Sequence, residues 1–141
     1  MKLTSKGRYA VIAMLYLALQ RNTGSIRLAE ISESQDISLS YLEQIFSKLK
    51  KANLVVSSRG PGGGYNLSRE ASHISVRDIV ISVDESLDPR KCEGKQNCRK
   101  SGACLSHHLW EDLSLKIEAF LENVSLEDII NRKDTRQTIS F

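Results

Sequence analysis

Residues 38–68, SLSYLEQIFSKLKKANLVVSSRGPGGGYNLS, decide the fold of this 141-residue chain. In the first half of this stretch the apolar residues recur with helical spacing, which predicts a helix with one buried face. These residues are Leu39, Leu42, Ile45, Phe46 and Leu49. The opposite face carries hydroxyl, amide and charged groups of the kinds that bind base edges and phosphates. Ser38 or Ser40 caps this helix, and Ser40 with Glu43 fits a capping box.

A shorter helix precedes this one. It begins at Leu28 and ends near Asp36, so only a tight turn separates the two helices. Two helices joined in this way, the second with a polar outer face, are typical of a helix-turn-helix that places its second helix in the major groove of DNA. An ordinary helical hairpin is the alternative, and the residues that follow help to decide between them.

A β-hairpin is predicted directly after the second helix, with strands over residues 54–58 and 65–68. The loop between them, RGPGGG over residues 59–64, has almost no side chains, so its tip can enter a narrow groove. A phosphate-binding loop is disfavoured, because no Lys-Ser/Thr pair and no helix follow the glycines. A merely flexible hairpin tip is the other alternative, but its place after the helix-turn-helix favours the wing of a winged helix.

Together the helix and the hairpin supply the candidate DNA-binding residues. Arg59, at the base of the loop, suits the negative potential of an A·T-rich minor groove. The full set is Ser38, Ser40, Tyr41, Glu43, Gln44, Lys48, Arg59, Gly60, Pro61 and Gly62.

Charge is unevenly distributed along the chain. Residues 1–70 hold ten Lys or Arg and five Asp or Glu, a net +5, whereas residues 71–141 hold ten basic and twelve acidic side chains, a net −2. This indicates a polyanion-binding module beside a module with another task, with a solvated basic surface as the simpler alternative. The 40% hydrophobic and 26% charged residues are typical of a soluble globular protein. We find neither a secretory signal nor a membrane-spanning run, and we expect a cytoplasmic protein.

A long helix is predicted over residues 104–123, about 20 residues or ~30 Å. Its apolar stripe includes Leu109, Leu113, Ile117 and Phe120. So small a chain has little core to cover the whole stripe, so we expect it to pack on the same helix of a second subunit. Packing within one chain is the alternative. A two-fold dimer would also match the half-sites of a palindromic operator on double-stranded DNA.

The sequence therefore predicts a mainly α fold with a small β-wing, in which a winged helix-turn-helix domain is joined to a long dimerisation helix. We place the winged-helix domain at residues 1–85 and a cysteine-bearing loop at 86–103. The dimerisation helix with a C-terminal turn follows at 104–131, and a flexible tail at 132–141.

Three cysteines, the only ones in the chain, lie between positions 92 and 104. An odd number without a secretory signal argues against structural disulfides, and their clustering favours a shared ligand or redox task. Cys92, Cys98, Cys104 and His107 could hold zinc or an iron–sulfur cluster. Their spacing departs from the Cys-x2-Cys pairs of zinc fingers, which favours the cluster. His108 is an alternative to His107, and three free cysteines are the simplest alternative.

Several of these stretches together resemble the iron–sulfur cluster regulator (IscR) family of winged-helix transcription regulators. They are LTSKGRYA at 3–10, ISLSYLEQ at 37–44, RGPGGGY at 59–65, VDES at 83–86 and the Cys92, Cys98, Cys104, His107 spacing. The resemblance covers about residues 1–130, and the short C-terminal tail departs from it.

The resemblance implies a 2Fe-2S cluster with Cys92, Cys98, Cys104 and His107 as ligands. It implies that the holo homodimer represses cluster-assembly genes, while the apo form acts at other sites. Ser40, Tyr41 and Gln44 would meet major-groove edges, and Glu43 would disfavour one class of site. Arg59 and the Pro61 tip would enter the minor groove.

Two other functions remain open at this stage. One is a nitric-oxide or iron sensor of the same family, and the other is a metal or cluster carrier without sequence-specific DNA binding. An enzyme is not expected, because the sequence shows no paired carboxylates, nucleophile–base pair or open catalytic metal constellation.

Overall fold

A computed structural model describes residues 5–20, 23–83, 102 and 105–132. Its helices and its one antiparallel two-stranded sheet confirm the predicted mainly α fold with a small β-wing. In chain order the elements are α1 Ser5–Leu19, α2 Leu28–Gln35, α3 Leu39–Lys51, β1 Val55–Ser58, β2 Gly64–Leu67, a 3-10 turn Ala71–His73, α4 Val76–Ser82, α5 His107–Glu122 and α6 Leu126–Ile130. Within these ranges no helix is both long and apolar enough to cross a membrane.

The turn between α2 and α3 corrects one capping prediction. Asp36 ends α2 in the left-handed conformation with φ 56°, and Ser38 becomes the N-cap of α3. Its hydroxyl accepts a hydrogen bond from the Tyr41 backbone N–H at 3.4 Å. The predicted capping box of Ser40 with Glu43 is wrong, because Ser40 already lies inside the helix. The Ser40 hydroxyl instead pairs with that of Ser38 at 3.0 Å.

One face of α3 is buried in the core, as its spacing predicted. Leu42, Ile45, Phe46 and Leu49 are at most 1% exposed. Burying each such side chain contributes roughly 1.5–3 kcal/mol, so this face anchors the helix firmly. Leu39 differs from the prediction because it is 42% exposed, in the first turn of the helix, outside the part that the core covers.

The wing, residues 55–67, is held to the rest of the fold by Tyr65. Its strands pair with Val55 opposite Leu67 and Ser58 opposite Gly64. The backbone of Tyr65 exchanges two hydrogen bonds with Ile26, at 2.7 and 3.0 Å, which adds a third extended segment beside β2. The Tyr65 ring also packs on Phe46, with ring centroids 4.8 Å apart. The wing therefore shares the core residue that anchors α3.

The wing tip is a tight turn that Gly60 begins. The N–H of Gly63 donates to the carbonyl of Gly60 at 2.8 Å. Pro61 at the second position and Gly62 with φ 85° at the third are the combination typical of a type II turn. The prolyl ring and the positive φ together fix the shape of a tip that carries little side-chain bulk.

Two capping boxes lie side by side, at the starts of α4 and α6. Ser75 with Asp78 caps α4, and Ser125 with Asp128 caps α6, each with both reciprocal hydrogen bonds. The serines form an antiparallel bridge between the two segments. Leu126 is fully buried in the core shared with α1, so the C-terminal turn belongs to the winged-helix core.

Gly64→Ala tests how the wing is attached. A Cβ at Gly64 would run into the carbonyl oxygen of Ile26, and its φ of 152° is strained for other residues. We expect the substitution to lower the free energy of unfolding by about 1–3 kcal/mol in urea denaturation. Gly62→Ala is the matched control, because its φ is also positive but a Cβ there meets open space. A smaller loss at Gly64 than at Gly62 would contradict the close approach of Ile26.

Candidate nucleic-acid interface and metal centre

The outer face of α3 forms a solvent-facing groove of about 520 Å³. Ser38, Ser40, Glu43 and Gln44 are exposed, whereas Tyr41 and Lys48 are half-buried. All of these except Ser38 line the groove. The structure therefore brings most of the predicted reading residues together on one surface.

Ser47, which belongs to the predicted polar face of α3, also lines this groove, together with two lysines that the sequence reasoning missed, Lys6 and Lys51. Lys51 follows Ser40 by eleven residues, three helical turns, so its place on this face could have been predicted from helical spacing. Lys6 belongs to α1, and only the packing of α1 on α3 brings it here.

The groove carries more positive than negative charge. Lys6, Lys48 and Lys51 contribute three cationic groups, against the single carboxylate of Glu43. Lysine side chains along a recognition helix are suited to phosphate contacts, which supply most of the affinity for DNA without reading its sequence. The remaining hydroxyl and amide groups are suited to base edges.

Tyr41 is held in place by an aromatic contact. The rings of Tyr9 and Tyr41 meet edge to face, with centroids 5.7 Å apart and an interplanar angle of 88°. Such pairs prefer this geometry and restrict the ring orientation. Tyr9 of α1 therefore positions a predicted DNA-contacting side chain without itself lining the groove.

Arg59, Gly60, Pro61 and Gly62 are all exposed at the wing tip, as minor-groove contacts require. The base of the wing is braced by polar contacts. The Asn66 amide donates to the Ser25 hydroxyl at 2.8 Å, and that hydroxyl lies 3.3 Å from the hydroxyl of Ser58. These contacts limit the range of positions that the tip can sample.

His107, the first residue of α5, is the buried polar side chain of the described residues that most needs a partner. It is 2% exposed, and within those residues neither ring nitrogen has a hydrogen-bond partner. Burying an imidazole without a partner is costly, and ligation of a metal would satisfy one nitrogen. His108 contrasts with it, because its side chain is 90% exposed and its Nδ1 lies 3.5 Å from Glu111.

Cys92, Cys98 and Cys104 lie outside the described residues. Within those residues, no three His, Cys, Asp or Glu side chains come together as a metal site. A metal centre at His107 would therefore take its other ligands from outside the described ranges, where all three cysteines lie. Three thiolates with one imidazole form a donor set suited to iron–sulfur clusters or zinc.

The predicted dimer residues on α5 divide between two faces. Leu109, Leu113 and Phe120 are 60%, 40% and 63% exposed and form an open stripe along the helix. Ile117 is half-buried and packs against a small cluster of Val76 and Val80 in its own chain. The described part of the chain thus leaves three of the four predicted dimer residues uncovered.

Known proteins resemble this chain along nearly its whole length. The family described as Rrf2, iron-dependent transcriptional regulator, matches residues 3–132. Curated relatives named HTH-type transcriptional regulator IscR come from Yersinia pseudotuberculosis and Serratia proteamaculans. Each is 54% identical over 134 residues, which span 95% of this chain and 82% of the relative.

Solved structures show the same architecture. T. potens IscR has a TM-score of 0.78 and 33% identity, covering 100% of this chain and 93% of that one. CymR, the global cysteine regulator of B. subtilis, has a TM-score of 0.78 and 30% identity, covering 91% of this chain and 95% of that one. The chain therefore belongs to the Rrf2 family of iron-dependent transcriptional regulators.

Proposed function

We propose that this transcription regulator senses a 2Fe-2S cluster held by Cys92, Cys98, Cys104 and His107. As a homodimer it binds a palindromic operator and represses cluster-assembly genes. Because its target is chromosomal DNA, it acts in the cytoplasm. The observation that carries the proposal is His107, buried with both ring nitrogens unpartnered within the described residues.

The choice of His107 over His108 rests on burial. A ligand imidazole needs a deprotonated nitrogen to offer the metal. The buried His107 has no hydrogen-bond partner for either ring nitrogen within the described residues, whereas His108 faces solvent beside the Glu111 carboxylate. When bound, the cluster supplies a redox-active iron centre whose single imidazole ligand raises its potential relative to an all-cysteine centre. The chain's own contribution is to fix His107 at the first turn of α5, a rigid helix that packs on the winged-helix domain.

Each DNA-contacting element has a distinct task in this proposal. Ser40, Tyr41 and Gln44 read major-groove edges, and Lys48 binds phosphate with the other lysines of the groove. Glu43 lies among those lysines, where its carboxylate repels phosphate or a mismatched base and so disfavours one class of site. The wing tip enters the minor groove.

Dimer formation uses the open stripe of α5. A row of exposed apolar side chains on one helix face is a strong candidate for burial against a second copy, since an isologous contact matches the stripe with itself. Such a pairing places two α3 helices in a two-fold arrangement, as a palindromic operator requires.

The known relatives give different support to the two alternative functions. A carrier without DNA binding is not supported, because the curated relatives are transcription regulators. The enzyme class is excluded on the same ground. Sensing of another signal by the same fold is the second candidate, because the cysteine regulator CymR has the same TM-score as T. potens IscR. The ligand set must therefore be tested directly.

Cluster binding is tested by anaerobic purification followed by visible absorption and by iron and sulfide assays. We expect about two irons and two sulfides per chain in the wild type, the stoichiometry of a 2Fe-2S centre. Cys98→Ala and His107→Ala lose the absorption, whereas His108→Ala, the matched control, retains it. A colourless protein with one zinc per chain, or loss in His108→Ala alone, would contradict the assigned ligands.

DNA reading is tested with a duplex selected from a random library by the holo protein and with a scrambled duplex. Lys51→Ala should weaken binding to both duplexes and reduce the salt slope by about one. Gln44→Ala should weaken binding to the selected duplex alone, by about 1–3 kcal/mol. If both substitutions weaken binding to both duplexes equally, the assignment of Lys51 to phosphate and of Gln44 to base edges is contradicted.

Leu113→Glu tests the dimer surface by analytical ultracentrifugation. A charge in the open stripe should convert the dimer to a monomer, because burying an unpaired carboxylate is costly. Leu115→Glu is the matched control, since Leu115 is 61% exposed but lies about 140° around the helix from the stripe. A monomeric wild type, or a dimer in both variants, would rule out this surface.

A further inference from the structure

Arg77 of α4 and Glu118 of α5 form the ion pair that joins the two helices. The Arg77 Nε and Nη2 atoms donate to the Glu118 Oε1 atom at 2.8 and 2.6 Å. Both side chains are about one-third exposed. The hydrogen bonds that Arg77 donates to Glu118 raise the pKa of the guanidinium above its already high value, so the group stays charged in the folded protein.

Helix α4 lies between the other two helices that matter for regulation. It packs against α1 and α3 of the winged-helix domain and also against α5. A displacement of α5 therefore changes its contacts with α4, and α4 is also in contact with the recognition helix α3. A rigid element packed against both sites is the kind of route through which coupling travels.

The end of α5 is joined to the start of α4 through the backbone. Backbone bonds from Val76 N–H to the Val124 carbonyl, at 2.9 Å, and from Leu126 N–H to the Ile74 carbonyl, at 3.0 Å, join the start of α4 to the end of α5. His107 lies eleven residues before Glu118, about 16 Å along the helix.

The apolar contacts between the helices do not by themselves define one arrangement. Ile117 and Leu121 pack on Val76 and Val80, and such apolar contacts are non-directional, so they specify the helix register less strictly than a hydrogen bond does. A guanidinium that directs two N–H groups at one carboxylate oxygen is more demanding. An ion pair this exposed adds little to stability, so its main effect is on geometry.

We propose that Arg77 and Glu118 are positioning residues that hold α5 in one register on α4, and that this contact transmits the state of the metal centre at His107 to α3. The inference rests on the proposed function, because it presupposes a centre whose occupancy changes DNA binding.

The test compares holo and chelator-stripped protein binding to the selected duplex and takes the ratio of the two affinities. Arg77→Gln and Glu118→Gln should each reduce this ratio by about threefold to fivefold, the size expected for loss of one partly exposed pair. The charge-reversed double variant Arg77→Glu with Glu118→Arg should restore the ratio to within about twofold. Iron content should remain that of the wild type, and the melting temperature should fall by no more than about 2–4 °C.

Arg69→Gln is the matched control. Arg69 pairs with Asp78 of the same helix α4 at 3.5 Å, but it belongs to the winged-helix domain and does not link α4 to α5. The control should leave the affinity ratio unchanged, which separates loss of any α4 ion pair from loss of the link to α5.

The outcomes distinguish the inference from the function on which it rests. A wild-type ratio of one overturns the proposed cluster sensing. If the wild-type ratio of holo to stripped affinity is well above one, and Arg77→Gln and Glu118→Gln leave it unchanged, only the positioning role is overturned. If Arg77→Gln fails to fold, Glu118→Gln, which alters a side chain about one-third exposed on the helix surface, decides the question. If Arg69→Gln reduces the affinity ratio as much as Arg77→Gln and Glu118→Gln do, that result also contradicts the positioning role.

Discussion

The burial of one face of α3 is the constraint on which the rest of the structure depends. Leu42, Ile45, Phe46 and Leu49 lock the helix into the core, so only the opposite face is left to meet DNA. The same core positions the wing, because Phe46 packs on Tyr65, whose backbone is bonded to Ile26. One set of apolar contacts thus orients the two elements that are expected to read the major and minor grooves. The lysines of the outer groove then add affinity to an arrangement that packing has already fixed.

Features set by local chain chemistry could be predicted from the sequence. Helical spacing predicts the buried face of α3, and the Ser-x-x-Asp pattern is the local sequence signal of capping boxes such as those of α4 and α6. The cap of α3 was harder, because Ser38 and Ser40 both carry suitable hydroxyls. The left-handed turn at Asp36 settled the competition in favour of Ser38. Which of two possible N-cap residues is used depends on the backbone path that leads into the helix, and the spacing of residues in the sequence does not specify that path.

Features that depend on the packing of one element against another could not be predicted from local sequence patterns. The stripe of α5 combines two faces, one covered by α4 and one open, and an apolar residue looks the same whether its partner is in its own chain or in another. Ile117 was for this reason grouped with Leu109 and Phe120, although it packs on α4. Lys6 was missed because it reaches the groove only through the packing of α1. The fold is shared by regulators with different names, and in the proposed function the three cysteines with His107 are the residues that specify the sensed signal.

The most direct test of cluster sensing is the affinity of anaerobic holo protein and of the same preparation stripped by a chelator, measured on one selected duplex at one salt concentration. We expect the holo dimer to bind more tightly by a factor within roughly 5 to 150, the usual range for coupling between two sites. Equal affinities of the two forms would show that this winged helix reads DNA without sensing a cluster, and would contradict the proposed function.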